Sequence, residues 1–131
     1  MAAVSFIEPD SFKVTGDGYE IRLRLQWYRS LPLSCIDIVQ VSLDGQPVDL
    51  ANVRLGLNNR LYNPAEMPEM VEEFWFVQDP AHLTVLQPGA VKRGETHTIG
   101  VELTARYPYI PIGPNKSLTG VNKASVTQAA G

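Results

Sequence analysis

Strict alternation dominates the first part of the chain. Tyr19, Ile21, Leu23, Leu25 and Trp27 alternate with Glu20, Arg22, Arg24, Gln26 and Tyr28. Strand side chains point to opposite faces in turn, so the stretch predicts a strand with one apolar and one polar face. It runs into Tyr28-Arg29-Ser30-Leu31-Pro32-Leu33, where Pro32 lacks a ladder donor and holds Leu31 extended. Ser11 to Val14 predicts a preceding strand, joined by a hairpin through Thr15-Gly16-Asp17-Gly18. Ser34 to Leu43 predicts another, with Val39, Val41 and Leu43 on one face. Asp44-Gly45 is a hairpin signal that turns it back through Gln46-Pro47-Val48. Val53 to Leu57 is a short strand, and Asn58-Asn59 forms the next turn.

The pattern changes after residue 60. Asn63-Pro64 suits the cap and first position of a helical turn, and Pro68 keeps that turn short. Phe74-Trp75-Phe76-Val77 predicts a strand with Phe74 and Phe76 in the core. Trp75 then lies at an edge or interface, or serves as a sugar-stacking platform. Leu83 to Leu86 is a strand, and Gln87-Pro88-Gly89 reads as a type II turn. Thr96 to Arg106 predicts a long strand with His97, Ile99, Val101, Leu103 and Ala105 on one face. The three prolines of Tyr107-Pro108-Tyr109-Ile110-Pro111-Ile112-Gly113-Pro114 exclude a central strand. That segment reads as an extended arm lying against its own domain or a partner. Residues 115–131 read as a polar tail, flexible unless a partner orders it. The fold class is therefore all-β: one antiparallel β-sandwich-like domain over 1–114, followed by the tail. Its expected core is Ile21, Leu23, Leu25, Trp27, Val39, Val41, Leu43, Phe74, Phe76, Ile99, Val101 and Leu103.

Composition narrows the function classes. The chain has 131 residues, a net charge of -3, and 19% charged residues. Basic residues are scattered apart from Lys92-Arg93, which argues against nucleic-acid binding. No apolar run approaches the roughly 20 residues of a membrane span. The N-terminus does not read as a signal peptide, and Cys35 is the single cysteine, so a cytoplasmic location is the default. Catalytic signals are sparse. His82 and His97 show no metal-ligand spacing, and His97 on an apolar face reads as a satisfied histidine. Glu66, Glu69, Glu72 and Glu73 read as a solvated acidic loop ahead of a cation site or acid–base pair. Arg22, Arg24, Arg29 and Arg106 bind an anion jointly only if they converge, and the first two lie on a solvated strand face. No self-sufficient active site emerges; a single residue donated to a partner's site stays open.

The order and spacing of several segments resemble the small (beta) subunit of bacterial C-glycoside deglycosidases. The segments are Asp10-Ser11-Phe12, Tyr28 to Ser34, Val41-Ser42-Leu43-Asp44-Gly45, Phe74 to Phe76, Leu83-Thr84-Val85, Pro88-Gly89 and Tyr107-Pro108-Tyr109. They span residues 5 to about 114, and no one of them is diagnostic alone. The resemblance implies a β-sandwich-like subunit that supports a larger TIM-barrel alpha subunit. It implies that the alpha subunit carries a divalent metal, commonly manganese, and the catalytic histidine. The implied reaction cleaves the carbon–carbon bond between a 3-keto sugar and an aromatic aglycone such as a flavonoid, by elimination. The resemblance carries no catalytic, cofactor or metal residue onto this chain. Tyr28, Arg29, Leu31, Pro32, Tyr107, Tyr109, Ile110 and Pro111 are the expected partner interface, because aromatics and Arg favour interface centres. The alternatives are a carbohydrate-binding module using Trp75 or Tyr109, and a structural oligomeric β-domain.

Overall fold

The computed structural model describes residues 6–25, 30–76, 78–114 and 116–131. Its strands are β1 (Lys13–Thr15), β2 (Gly18–Leu23), β3 (Leu31–Pro32), β4 (Ile36–Leu43), β5 (Gln46–Pro47), β6 (Val53–Leu57), β7 (Arg60–Tyr62), β8 (Phe74–Trp75), β9 (Ala81–Val85), β10 (Thr96–Gly113) and β11 (Lys116–Ala129). They form a five-stranded sheet ordered β1-β2-β9-β6-β7, a four-stranded sheet ordered β11-β10-β4-β5, and the β3-β8 pair. All described pairings are antiparallel. The all-β class holds, and helical structure among the described residues is limited to short 3-10 turns. None of these turns is long and apolar enough to cross a membrane.

The two larger sheets share one core. Ile21, Leu23, Val53, Leu55, Leu83 and Val85 enter it from the five-stranded sheet. Ile36, Ile38, Val41, Ile99, Val101 and Leu103 enter it from the four-stranded one. The turns are those that the residue types dictate. Asp44 and Gly45 have φ of 52° and 82°, and Asn58 and Asn59 have 53° and 61°, the left-handed values of two-residue hairpin turns. The Asn63 side chain accepts a hydrogen bond from Ala65 N at 3.1 Å and caps the 3-10 turn Pro64–Glu69.

Four expectations need correction. Val39 is 41% exposed rather than in the core. Ile38 pairs with Leu103 and Gln40 with Glu102, so β4 carries one extra residue there. This bulge resets the alternation and turns Val39 outward. Phe76 is 50% exposed, whereas Trp75 is fully buried opposite Leu31. A strand of two residues has no periodicity from which to read a face. Leu25 and Leu43 are partly buried and do pack on the core, Phe74 is partly buried, and Trp27 lies outside the described residues. The prolines do not end the last long strand: β10 continues to Gly113. Pairing with β4 stops at Ala105, so beyond it β10 has only β11 as a neighbour, and the register shifts around Pro111. A strand with one open side tolerates proline.

The segment expected as a tail forms β11, paired with β10 from Thr96↔Ala129 to Tyr107↔Leu118 without a register shift. Its end is knitted into the other sheet. Gln128 Oε1 accepts from Ser11 N at 3.0 Å and Phe12 N at 3.1 Å, while Gln128 Nε2 donates to Glu8 O at 2.9 Å. Gly131 N donates to Phe12 O at 3.0 Å, and Val14 N donates to Gly131 O at 2.9 Å. The small residues of 115–131 hid this role, because the anchoring is tertiary rather than local.

Two stability effects follow. Gln128→Ala leaves the Ser11 and Phe12 N–H groups without their acceptor and is expected to cost about 1–3 kcal/mol in denaturant unfolding. Gly18→Ala is expected to cost about 3 kcal/mol or more, because its Cβ would stand 1.9 Å from the Val85 carbonyl oxygen.

Candidate functional site

The interface residues expected from the sequence fall on two neighbouring parts of the fold. Leu31 and Pro32 form β3 against β8. Leu31 is fully buried and Pro32 half-buried; Tyr28 and Arg29 lie outside the described residues. Tyr107 is also buried. A Cβ added at Gly120 would stand 2.9 Å from its phenol oxygen, so the glycine makes room for the ring. Ile110 is half-buried and packs on the core. The side chains of Tyr109 and Pro111 lie outside what the structure describes. Trp75 and Tyr107 line one small cleft with Leu25 and Leu103, which brings the two segments together at their roots.

What this region presents to solvent differs from what the residue types suggest. Leu31 and Tyr107 act as internal anchors. The exposed apolar groups are Phe76, half-exposed and stacked on Phe74 with centroids 6.1 Å apart, and Ile112, 61% exposed. Ile112 lies on the two-stranded arm that β10 and β11 form beyond Ala105. Sequence reasoning placed Phe76 in the core, whereas Ile112 lies within the 107–112 stretch that it marked as a docking segment. Trp75 offers no stacking face: it is fully buried, and its Nε1 donates to Asp79 O at 2.8 Å. This removes the main platform of the carbohydrate-binding alternative.

Several ionisable groups pair with one another. Arg22 Nε lies 2.9 Å from Glu8 Oε2, and Arg24 binds the same carboxylate. Arg106 instead reaches Cys35 Sγ at 3.7 Å, so these arginines do not converge on one free anion site. Glu73 meets Arg60 at 3.2 Å and accepts from the Tyr62 hydroxyl at 2.9 Å. His82 Nδ1 stands 3.9 Å from Glu20 Oε1, beside an open groove of about 570 Å³ lined by Gly56, Leu61, Asp79 and Thr84.

His97 holds the best-organised cluster. Its Nδ1 lies 2.5 Å from Asp44 Oδ2 and its Nε2 lies 3.2 Å from Glu95 Oε1. The Phe12 ring meets the imidazole edge to face at 6.1 Å. Two carboxylate acceptors on two ring nitrogens call for two N–H donors, which is the imidazolium form. The hydrogen bond to Asp44 is the main influence that pushes His97 above its ordinary value; burial opposes it, and the hydrogen bond to Glu95 adds a smaller upward push. Asp44 is held below the usual carboxylate range by the His97 hydrogen bond and the Thr98 N–H. Glu95 is lowered by the Lys92 N–H and by His97. The carboxylates flank opposite nitrogens, so they cannot converge with the ring on one metal ion. Among the described residues, no group of three His, Cys, Asp or Glu side chains is placed to hold a metal. The cluster therefore ties the Asp44-Gly45 turn to the start of β10.

A sequence profile for the C-glycoside deglycosidase beta subunit matches residues 4–109. The chain is 38% identical over 106 residues to the 3'-dehydrocarminate deglycosidase beta subunit of a Microbacterium species, covering 81% of this chain and 79% of that one. It is 34% identical over 98 residues to a C-glycoside deglycosidase beta subunit of Arthrobacter globiformis, covering 75% and 74%. A C-glycoside deglycosidase beta subunit of Microbacterium trichothecenolyticum is 29% identical over 124 residues, covering 95% and 93%.

The His97 cluster gives a pH signature. A raised histidine contributes stability that is complete below its ordinary value of about 6.5 and is lost as pH rises through the raised value. The lowered carboxylates contribute above about 4 and lose that contribution as pH falls through their own values. The chain of ion pairs is thus intact between those limits. The thermal midpoint is expected to fall as pH rises from about 6.5 through the His97 titration. His97→Gln should flatten that part of the profile, and NMR should place the His97 midpoint above the ordinary imidazole value.

Proposed function

The chain belongs to the C-glycoside deglycosidase beta-subunit family, and we propose that it is the non-metal subunit of a heteromeric carbon–carbon lyase. The family match over residues 4–109 carries this reading. The internal pairing of the ionisable groups supports it, since His97, Arg22, Arg24 and Glu73 already have partners within the chain. In this reading a larger alpha subunit, a TIM barrel, holds the divalent metal, manganese by the family resemblance, and the catalytic histidine. The chain alone is inactive, and the complex works in the cytoplasm.

The substrate class is a C-glycoside already oxidised to a ketone at the sugar's 3-position. The ketone acidifies the neighbouring C2–H. A base takes that proton and the C2–H electrons form a C1–C2 double bond. The C1–aglycone bond breaks, and the aglycone carbon takes up a proton. Such a step needs a base, an electrophile for the enolate, and a proton donor. The resemblance points to a flavonoid-type aromatic aglycone. The beta subunit's role is to support the catalytic subunit through the β3–β8 edge and the β10–β11 arm. Ile112, Phe76, Tyr109 and the Tyr28–Arg29 segment supply the contact.

Co-expression with the product of the adjacent gene, followed by mass and metal analysis, tests the reading. The expected result is a stoichiometric complex with a divalent metal and cleavage of 3-keto C-glycosides. A metal-free chain that recruits no second subunit would overturn it. Ile112→Asp is expected to weaken assembly at least tenfold while leaving the melting temperature of the isolated chain within about 2 °C, as changes at an exposed position do. Unchanged assembly would remove the arm from the interface.

A further inference from the structure

Sheet edges expose unpaired N–H and C=O groups, and folded proteins usually protect them with short strands, prolines, bulges or charges. β11 is the outer strand of its sheet, with β10 on one side and no described strand on the other. It is 14 residues long and contains no proline. Its ladder to β10 runs without a bulge from Leu118 to Ala129. Lys123 is the one charged residue in that span, and it is drawn toward Glu102 at 3.8 Å. The inward row of Leu118, Gly120, Asn122, Ala124, Val126 and Gln128 is only half-buried, although Leu118, Ala124 and Val126 pack on the core. The same strand thus has an open backbone edge and an unfinished apolar row.

We propose that β11 pairs antiparallel with β11 of a second copy of this chain, joining the two four-stranded sheets across a two-fold axis at Asn122. Residues directly opposite in an antiparallel pair share a face, so inward positions must meet inward positions. Centring on Asn122 satisfies this. Leu118 then faces Val126 of the second copy, Gly120 faces Ala124, Thr119 faces Ser125, and Val121 faces Lys123. The two-fold repeats every pair. The apolar inward rows complete one another, and exposed Val121 is covered by the lysine stem. Centring on Lys123 would set two ammonium groups face to face. Centring on Val121 would leave Gln128 and Ala129 opposite residues beyond the strand's start. Centring on Ala124 would set Asn122 against Val126 and leave Leu118 opposite Ala130, beyond the strand's end. Charge pattern, apolar pairing and strand length therefore select the Asn122 register. The proposal is independent of the lyase reading, and β11 lies beyond the residues matched by the family profile.

The test uses the full chain, alone and with its alpha subunit. Direct partners in an antiparallel pair have Cα atoms about 4.5–5.5 Å apart, within disulfide range. Under mild oxidation N122C is expected to form a covalent dimer and K123C not, with the wild-type chain as control because its Cys35 is buried. Light scattering should show a wild-type dimer. V121K sets lysine opposite Lys123 twice and is expected to raise the dimer dissociation constant about tenfold, whereas V121E is not. Val121 is 70% exposed, so neither change should disturb the fold. A chain that stays monomeric with no N122C cross-link would overturn the proposal. So would equal cross-linking at both positions, or V121K disrupting binding of the alpha subunit instead of the dimer.

Discussion

The ladder between β10 and β11 is the constraint on which the rest of the structure depends. β10 is the longest strand, yet β4 pairs with it only from Ile99 to Ala105. Its remaining backbone groups would face water or stay unpaired without β11. β11 in turn delivers Gln128, Ala130 and Gly131 to the segment around Ser11–Val14 and to the Gly94–Glu95 turn. The last residues of the chain thus close the sandwich against the first described ones. The His97 cluster sits at the same end, tying the Asp44 hairpin to the start of β10 through one imidazolium and two carboxylates.

Large aromatic groups are spent inside: Trp75, Tyr19 and Tyr62 are all buried, and Tyr107 fills the space left by Gly120. Burial pushes the Tyr19 phenol up to about 12, with the Asp44 charge adding to the effect. A tyrosine held neutral in this way serves packing rather than proton transfer near neutral pH. Glu8, Glu73 and Glu102 are each matched to a neighbouring cation. Among the described residues, exposed Phe76 and Ile112, the arm beyond Ala105 and the long sheet edge face outward.

Much of the fold was legible in the sequence because its signals are local. Strict alternation from Tyr19 to Leu23 and from Ile99 to Ala105 set the buried faces, and Asp44-Gly45 and Asn63-Pro64 marked their turn and cap. The failures share one cause: their determinants are tertiary. The bulge at Val39 comes from pairing with β10, and Trp75 turns inward because of Leu31 opposite. Prolines 108 and 111 are tolerated because β4 has already ended, and 116–129 become a strand because β10 is there to pair with. For the two segments expected at an interface, burial was not legible from residue type. Leu31 and Tyr107 carry interface chemistry by type and core positions by fold. The family itself was legible only in the order and spacing of segments that are each weak alone.

The most direct measurement of the central claim is single-turnover cleavage of a 3-keto C-glycoside by the alpha subunit alone, by this chain alone, and by the reconstituted complex. The account predicts activity in the complex, none in this chain alone, and loss of metal-dependent turnover when the chain is withheld. Full activity of the alpha subunit without this chain, or turnover by this chain by itself, would contradict it.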